Sequence, residues 1–378
     1  MIIGILKEPA PDRRVVCLPE TVAQLVGLKA NVLVERGAGN ESFASDLDYQ
    51  KAGAQTTDAN NVLSQSDLVL RIAPLTIDEV SKLKSGSAVV AVLAPMFNKE
   101  LVNALVARGV TSFSLDTVPR TTRAQAMDIL SSQATVAGYK AVLTAAVQLP
   151  KFFPMFMTAA GTITPAKVLI LGAGVAGLQA ISTARRLGAV VEAFDTRSAV
   201  KEEVQSLGAK FVEVEGAKDV AAAGGYAVEQ TEEYKQKQQQ KIYEHSIKAD
   251  VIISTAQIPG RKAPILIPKA TVEAMKPGSV IVDLAASTGG NCELTKNNET
   301  VITPNGVSII GNSYLPSTLP ADASKMFGKN VLNLLKLMIN KDGGLFFNFD
   351  DDIVKGCCIT HNGEVMNDRV REALTQNA

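Results

Sequence analysis

The 378-residue sequence contains no tryptophan, two histidines and four cysteines, and each shortage excludes a class of chemistry. Cys17, Cys292, Cys357 and Cys358 lack the paired spacing of a zinc site or a redox motif. Neither a structural metal nor a disulfide framework is therefore expected, and the neighbours Cys357 and Cys358 read as free thiols. His245, in "KIYEHSIK", and His361, in "THNGE", lie in polar segments and read as surface residues. An enzyme that removes a proton from its substrate commonly uses a histidine base, so this scarcity bears on function. Net charge is also missing: Lys+Arg and Asp+Glu number 38 each. That balance gives no electrostatic reason to expect nucleic acid or an anionic lipid surface. No apolar run approaches the roughly 18 residues that span a bilayer. The opening "MIIGILKEP" runs into a strand pattern and lacks the layout of a signal or transit peptide. A soluble, cytoplasmic chain is expected.

What is present is an ordinary globular composition, 46% hydrophobic and 20% charged, in a chain long enough for two domains. Short apolar runs at 2–6, 31–35, 67–72, 88–93 and 110–116 read as strands, with amphipathic stretches such as "ETVAQLVGL", "IDEVSKLK" and "KELVNALVARG" between them. That rhythm predicts crossover units on a mostly parallel sheet. A helical pattern runs from about Thr122 to Gln148, and Gly and Pro in "AAGTITPAK" then mark a boundary. A second series follows at 167–172, 190–195, 210–214, 250–255, 279–284 and 307–311, enough strands for a complete doubly wound nucleotide-binding sheet. The last long helix, in "KNVLNLLKLMINK", is expected to pack back on the first unit. The fold class expected is α/β, with two Rossmann-like doubly wound parallel-sheet domains and a cleft between them. The first domain would be discontinuous, residues 1–135 plus 320–378, and the second would be residues 136–319.

In "KVLILGAGVAGLQA", Gly172, Gly174 and Gly177 follow an apolar strand and open a helix. A bare three-glycine pattern is weak evidence, but here Asp195 closes the next strand. Each glycine then has a reason: a tight turn, close approach of a pyrophosphate, and close helix–strand packing. The phosphates would sit at the positive end of the helix starting near Val175. Asp195 suits two ribose hydroxyls and would repel a 2′-phosphate, so NAD(H) is expected over NADP(H). Arg197, two residues on, would offset part of that repulsion. The segment 218–241, between two strands, has an Ala/Gly tip carrying Tyr226. It reads either as a solvated excursion or as a lid over the cofactor.

The stretch "PRTTRAQAMDILSSQ" has a different character. Thr122 and Gln125 fit a capping box, and Gln125, Asp128 and Ser131/Ser132 recur three to four residues apart. One helix face would then carry an amide, a carboxylate and hydroxyls, with Arg120 and Arg123 at its entry.

Together, "GILKEPAPDRRVVCLPETV", "RAQAMDILSSQATVAGYKAV", "LGAGVAGLQAISTARRLGA", "AFDTR" and "GSVIVDLAASTGGNCE" resemble the alanine dehydrogenase/transhydrogenase family. The likeness is nearer to its transhydrogenase branch, in the NAD(H)-binding component called domain I. Alanine dehydrogenases of the family hold pyruvate through an arginine, a lysine, a histidine and an aspartate. Arg14 matches the arginine, but Arg71, Ala94 and Ser287 stand at the other three places. Direct amino-acid dehydrogenation is therefore not expected, and a non-catalytic NAD(H)-binding protein is the remaining alternative. Transhydrogenation passes hydride from one nicotinamide to another and exchanges no substrate proton, so a histidine-poor site suits it.

The resemblance implies an NADP(H)-binding partner (domain III), a membrane-spanning partner (domain II) that couples the reaction to proton translocation, and a homodimer of this component. The chain would lie on the inner face of the cytoplasmic membrane through those partners. It also implies roles by position. Arg120 and Asp128 would grip the nicotinamide carboxamide with Ser131 as a partner, and Gln125 would reach toward the second nucleotide. Val175, Ala176 and Gly177 would form the pyrophosphate turn, and Asp195, Thr196 and Arg197 the adenosine-ribose segment. Gly225 and Tyr226 would lie on the closing loop, with Gln238 and Gln257 at further nucleotide positions. No metal is implied.

Overall fold

Runs of valine, isoleucine and leucine with no polar alternation form strands buried on both faces, and this pattern dominates both halves of the chain. In a computed structural model of the protein, residues 1–214, 231–258 and 261–375 are described. The chain folds as two compact units, one of Met1–Gln133 with Ser317–Ala378 and a second of Ala134–Pro316.

In the first unit the strands lie in the order Glu364–Val365, Cys358–His361, Thr111–Ser114, Ala88–Ala91, Leu68–Leu70, Ile2–Ile5, Asn31–Glu35, Gln55–Thr57. The six strands from Thr111–Ser114 to Gln55–Thr57 are mutually parallel, and in chain order they run 3-2-1-4-5-6. Cys358–His361 joins antiparallel beside Thr111–Ser114, and Glu364–Val365 beside it in turn. Ile3, Ile5, Leu68, Leu70 and Val90 form one core with Phe327, Val331, Leu334 and Leu335 of helix Pro320–Leu335. That helix therefore packs into the first unit, as its apolar periodicity predicts.

The second unit repeats the plan. Its parallel strands, Lys210–Phe211, Val190–Phe194, Lys167–Leu171, Val251–Ser254, Val280–Asp283 and Ser308–Ile310, again run 3-2-1-4-5-6, with Thr300–Ile302 as an antiparallel edge. The expected α/β architecture with Rossmann-like parallel sheets is thus present in both units. Phe156–Thr158 and Gly161–Ile163 make a separate two-stranded hairpin.

The uninterrupted helix expected from Thr122 to Gln148 is not formed. Thr122–Met127 is a 3₁₀ turn with no side-chain cap at Thr121, and the α-helix runs from Ile129 to Gln148. Asp128 stands between them with extended ψ, and its carboxylate accepts from the Ser131 amide at 3.0 Å and the Ser131 hydroxyl at 2.6 Å. A carboxylate three residues before a free amide is the stronger cap, so the helix begins at Asp128. The face expected to stack Gln125 over Asp128 and Ser131 is broken there.

Among the described residues no helix is long and apolar enough to cross a membrane, and no His/Cys/Asp/Glu group could hold a metal ion. All four cysteines are free and buried. Burial pushes the Cys17 thiol up to about 12. The two histidines differ from their surface reading: both are half-buried, with Nδ1 of His245 against Glu192 at 2.6 Å and Nδ1 of His361 against Thr111 at 3.0 Å.

Candidate nucleotide site

In a sheet of order 3-2-1-4-5-6, the crossovers leave the first and fourth strands on opposite faces, opening a crevice at their carboxyl ends. In the second unit those ends are Leu171 and Ser254. Gly172, at φ +100, turns the chain into helix Val175–Arg186. A Cβ on Gly177 would overlap the Gly172 carbonyl, so only glycine lets the helix sit this close to the strand. Gly174 precedes the helix without any side-chain cap. The first amides are therefore left to an outside acceptor, and the helix dipole favours an anion there.

Asp195 follows strand Val190–Phe194, and its side chain is 7% exposed. Its Oδ2 accepts from the Ala173 amide at 2.7 Å, tying it to the glycine turn. Arg197 donates to the same carboxylate from its own amide and from Nε, both at 2.9 Å on Oδ1, and from Nη2 at 2.7 Å on Oδ2. That hydrogen bonding holds the Arg197 guanidinium above its ordinary pKa. Thr196 is half-buried between them.

Two further residues brace this end of the sheet and carry no motif that would have singled them out. Asn291 donates to the Ala256 and Pro264 carbonyls at 2.8 and 2.9 Å and accepts from the Ala256 amide at 3.0 Å. Asp283, 1% exposed, accepts from the amides of Ala285, Asn291 and Cys292 and from the Thr295 hydroxyl. The two residues fix the backbone that leads into Gln257, whose amide donates to the Leu284 carbonyl at 2.9 Å. Gln238 lies half-buried on helix Glu232–Ser246. Gly225 and Tyr226, with most of the expected lid, lie outside the described residues.

In the first unit, Arg120 and Gln125 are exposed, while Asp128 and Ser131 are half-buried and bonded to each other. The equivalent switch point of this unit, beyond Ile5 and Leu70, holds Glu8 and Arg71. The Arg71 side chain is only 6% exposed, and its Nη1 lies 2.7 Å from both oxygens of Glu79. Its Nε is 3.9 Å from Glu8. Arg14 is likewise occupied, by Asp12 at 2.6 Å and by Gln133 at 2.7 Å. Burial raises the Asp12 carboxyl, but the Arg14 guanidinium outweighs it and the pKa is lowered. Ala94 stands at φ +45, a region a side chain rarely adopts. Ser287 is exposed on the turn Ala286–Thr288. Both guanidiniums that match substrate positions are therefore neutralised by carboxylates of their own unit.

The repeated parallel order, the glycine turn and its carboxylate define a doubly wound α/β chain with a dinucleotide crevice. Comparison with known proteins makes the family explicit. Residues 4–137 match the model for the alanine dehydrogenase/PNT N-terminal domain, and residues 141–368 match that for the alanine dehydrogenase/PNT C-terminal domain. The chain belongs to this family. It is 46% identical over 385 residues to the first of the polypeptides that make up NAD(P) transhydrogenase subunit alpha in Rhodospirillum rubrum, covering 99% of each chain. A crystal structure of transhydrogenase from Sinorhizobium meliloti superposes with a TM-score of 0.88 at 43% identity, covering 97% of this chain and 100% of that one. An alanine dehydrogenase of Mycolicibacterium smegmatis is more distant, at 28% identity over 382 residues, 99% of this chain and 97% of that one.

Proposed function

We propose that this chain is the NAD(H)-binding subunit of a proton-translocating transhydrogenase. It passes hydride directly between its own NAD(H) and NADP(H) held by a partner component, domain III. A membrane-spanning partner, domain II, couples that transfer to proton movement, and the chain works on the cytoplasmic face. The observation that carries the reading is the locked pair Arg14 and Arg71, together with Ala94 and Ser287 where a substrate histidine and aspartate would stand. Pyruvate would find neither a free guanidinium nor a proton carrier. Relatives named as transhydrogenase subunits, at 46% identity, support the same choice over the dehydrogenase branch.

The residues present fit the dinucleotide. NAD(H), when bound, supplies the nicotinamide carbon that gives or takes the hydride. The uncapped amides from Val175 to Gly177 bind the pyrophosphate, and Asp195 accepts from the adenosine ribose, flanked by Thr196 and Arg197. Arg120 and Asp128 orient the carboxamide, and Ser131 holds Asp128 in place through its hydroxyl. Gln125, exposed, reaches toward the second nucleotide. Gly225 and Tyr226 exclude water by closing over the site, with Gln238 and Gln257 at its rim. No side chain has to carry a proton, since the transferred species is hydride, so positioning supplies the catalysis.

The test mixes the chain with a separately prepared NADP(H)-binding component and follows reduction of an NAD analogue in a single turnover. Transfer is expected there, and none is expected with NADH, pyruvate and ammonia. Gln125→Asn is expected to leave NADH affinity nearly unchanged and to slow transfer. Absence of transfer in a mixture whose chain binds NADH would refute the proposal.

A homodimer belongs to the same proposal. All six residues of the hairpin strands Phe156–Thr158 and Gly161–Ile163 are exposed, with Phe156 at 42% and Met157 at 75%. A two-stranded hairpin is marginal in water without a surface to pack on, and a second copy of this chain supplies one.

A further inference from the structure

The turn Thr122–Met127, which carries Gln125, has little intrinsic order. It is a 3₁₀ segment, whose hydrogen bonds are poorly aligned; Thr121 does not cap it, and only Ala124 and Met127 of its residues are buried. What holds it comes from elsewhere in the same unit. Arg123, two residues before Gln125, lays its guanidinium across Asp351, with Nη1 on Oδ2 at 2.7 Å and Nη2 on Oδ1 at 2.8 Å. Nη2 also meets Asp352. The anchor is itself fixed: Asp351 caps helix Asp352–Cys357, accepting from Ile353 at 2.9 Å and Val354 at 3.3 Å, and Ile353, Val354 and Cys357 are core residues. The Arg123 guanidinium keeps the Asp351 carboxyl at about 2, so the pair stays charged through the physiological range.

On the other side, one residue after Gln125, the Ala126 carbonyl accepts from Asn330 at 2.8 Å and Asn333 at 3.1 Å. Asn330 is buried and its Oδ1 meets no donor. Leaving that oxygen unpaired costs free energy, and the bond to Ala126 is the one its side chain makes. Gln125 is thus gripped through the backbone on both sides while its own side chain stays exposed.

We infer that Arg123 is a positioning residue for hydride transfer. Seated on Asp351 and Asp352, with Asn330 and Asn333 opposite, it sets the direction in which Gln125 projects. The inference rests on the transhydrogenase reading given above. An exposed ion pair contributes little to global stability, so losing the clamp should spare the fold. A displacement of the turn by about 1 Å can cost on the order of a hundredfold in a positioned reaction.

Two experiments test this, on Arg123→Ala and Arg123→Lys. In the chain alone, hydrogen exchange of the peptide covering residues 121–128 should accelerate in Arg123→Ala, with thermal midpoint and NADH affinity unchanged within error. In the mixture with the NADP(H)-binding component, single-turnover transfer should fall by about tenfold for Arg123→Ala, and less for Arg123→Lys, which keeps the charge and loses the bidentate fit. Unchanged exchange in Arg123→Ala overturns the clamp whatever the mixture does. A wild-type transfer rate overturns the positioning role, as does a loss of rate matched by an equal loss of NADH affinity and thermal midpoint. Failure of the wild-type mixture itself, with faster exchange in the variant, would keep the clamp and count against the transhydrogenase reading.

Discussion

Arg197 lies bidentate on Asp195, and with the amides of Ala173 and Arg197 it gives each carboxylate oxygen two donors. A carboxylate offers about four lone-pair sites, so the ribose hydroxyls of a dinucleotide must compete with the guanidinium. The carboxylate remains the group that selects an unphosphorylated ribose, and the guanidinium weakens its repulsion of a 2′-phosphate. Asp195→Ala is expected to weaken NADH binding by roughly 1–3 kcal/mol, the range for charge-assisted hydrogen bonds. Arg197→Ala is expected to raise the ratio of the NADPH to the NADH dissociation constant, by about threefold to tenfold. Titration of both nucleotides by calorimetry checks this, and an unchanged ratio would remove Arg197 from cofactor discrimination.

Gly138 is a second point of control on the nucleotide turn. It lies in helix Ile129–Gln148, and a Cβ there would overlap the carbonyl of Ala176. Backbone cannot yield as a flexible side chain does, so Gly138→Ala has to push back the start of helix Val175–Arg186. A loss of roughly 1–3 kcal/mol of stability is expected, typical of overpacking, together with weaker NADH binding. Denaturant unfolding with and without NADH measures both. A variant as stable as the parent would mean that the helices separate at little cost.

The contrast between Gly138 and Gly177 shows what was legible in the sequence. Gly177 sits five residues from its partner carbonyl, Gly172, inside one strand–turn–helix motif, so its purpose reads directly from spacing. Gly138 meets a carbonyl 38 residues away, and nothing local distinguishes it from a tolerated helix glycine. The same reason hides Asn291 and Asp283, which act on backbone brought near only by the sheet. Strands with long apolar runs were plain, since a parallel sheet buries both faces. Gln55–Thr57, Thr300–Ile302 and Glu364–Val365 were not, being short edge strands with polar or exposed residues. The capping pattern at Thr122 misled because a competing cap, Asp128, lay six residues on and closed a better bond.

Glu8 predicts a pH dependence. It is 4% exposed and accepts from the amides of Ile72 at 2.7 Å and Ala73 at 2.9 Å. Burial raises its pKa from 4.5 to about 7, against those amides and Arg71. Because the folded value lies above the unfolded one, the protonated form is favoured by folding. Its contribution is full below pH 4.5 and is lost as pH rises to about 7. Glu8→Gln, neutral throughout, should flatten the fall in thermal midpoint over that window. Parallel pH profiles for the two proteins would show that the carboxylate does not titrate there.

The hairpin gives the last prediction. Phe152 and Phe156 stack edge to face at 4.7 Å between centroids, and beside them Met155 and Met157 are 57% and 75% exposed. Apolar side chains gathered on one protrusion mark an interaction surface more often than isolated ones do. If a second copy covers them, Phe156→Asp places a charge in the interface, where desolvation opposes it. Sedimentation velocity should show a dimer for the parent chain and a monomer for Phe156→Asp. The variant's NADH affinity should be unchanged, because the Gly172–Gly177 turn and Asp195 lie on other elements of the unit. A variant that remains dimeric would assign the hairpin to some other surface.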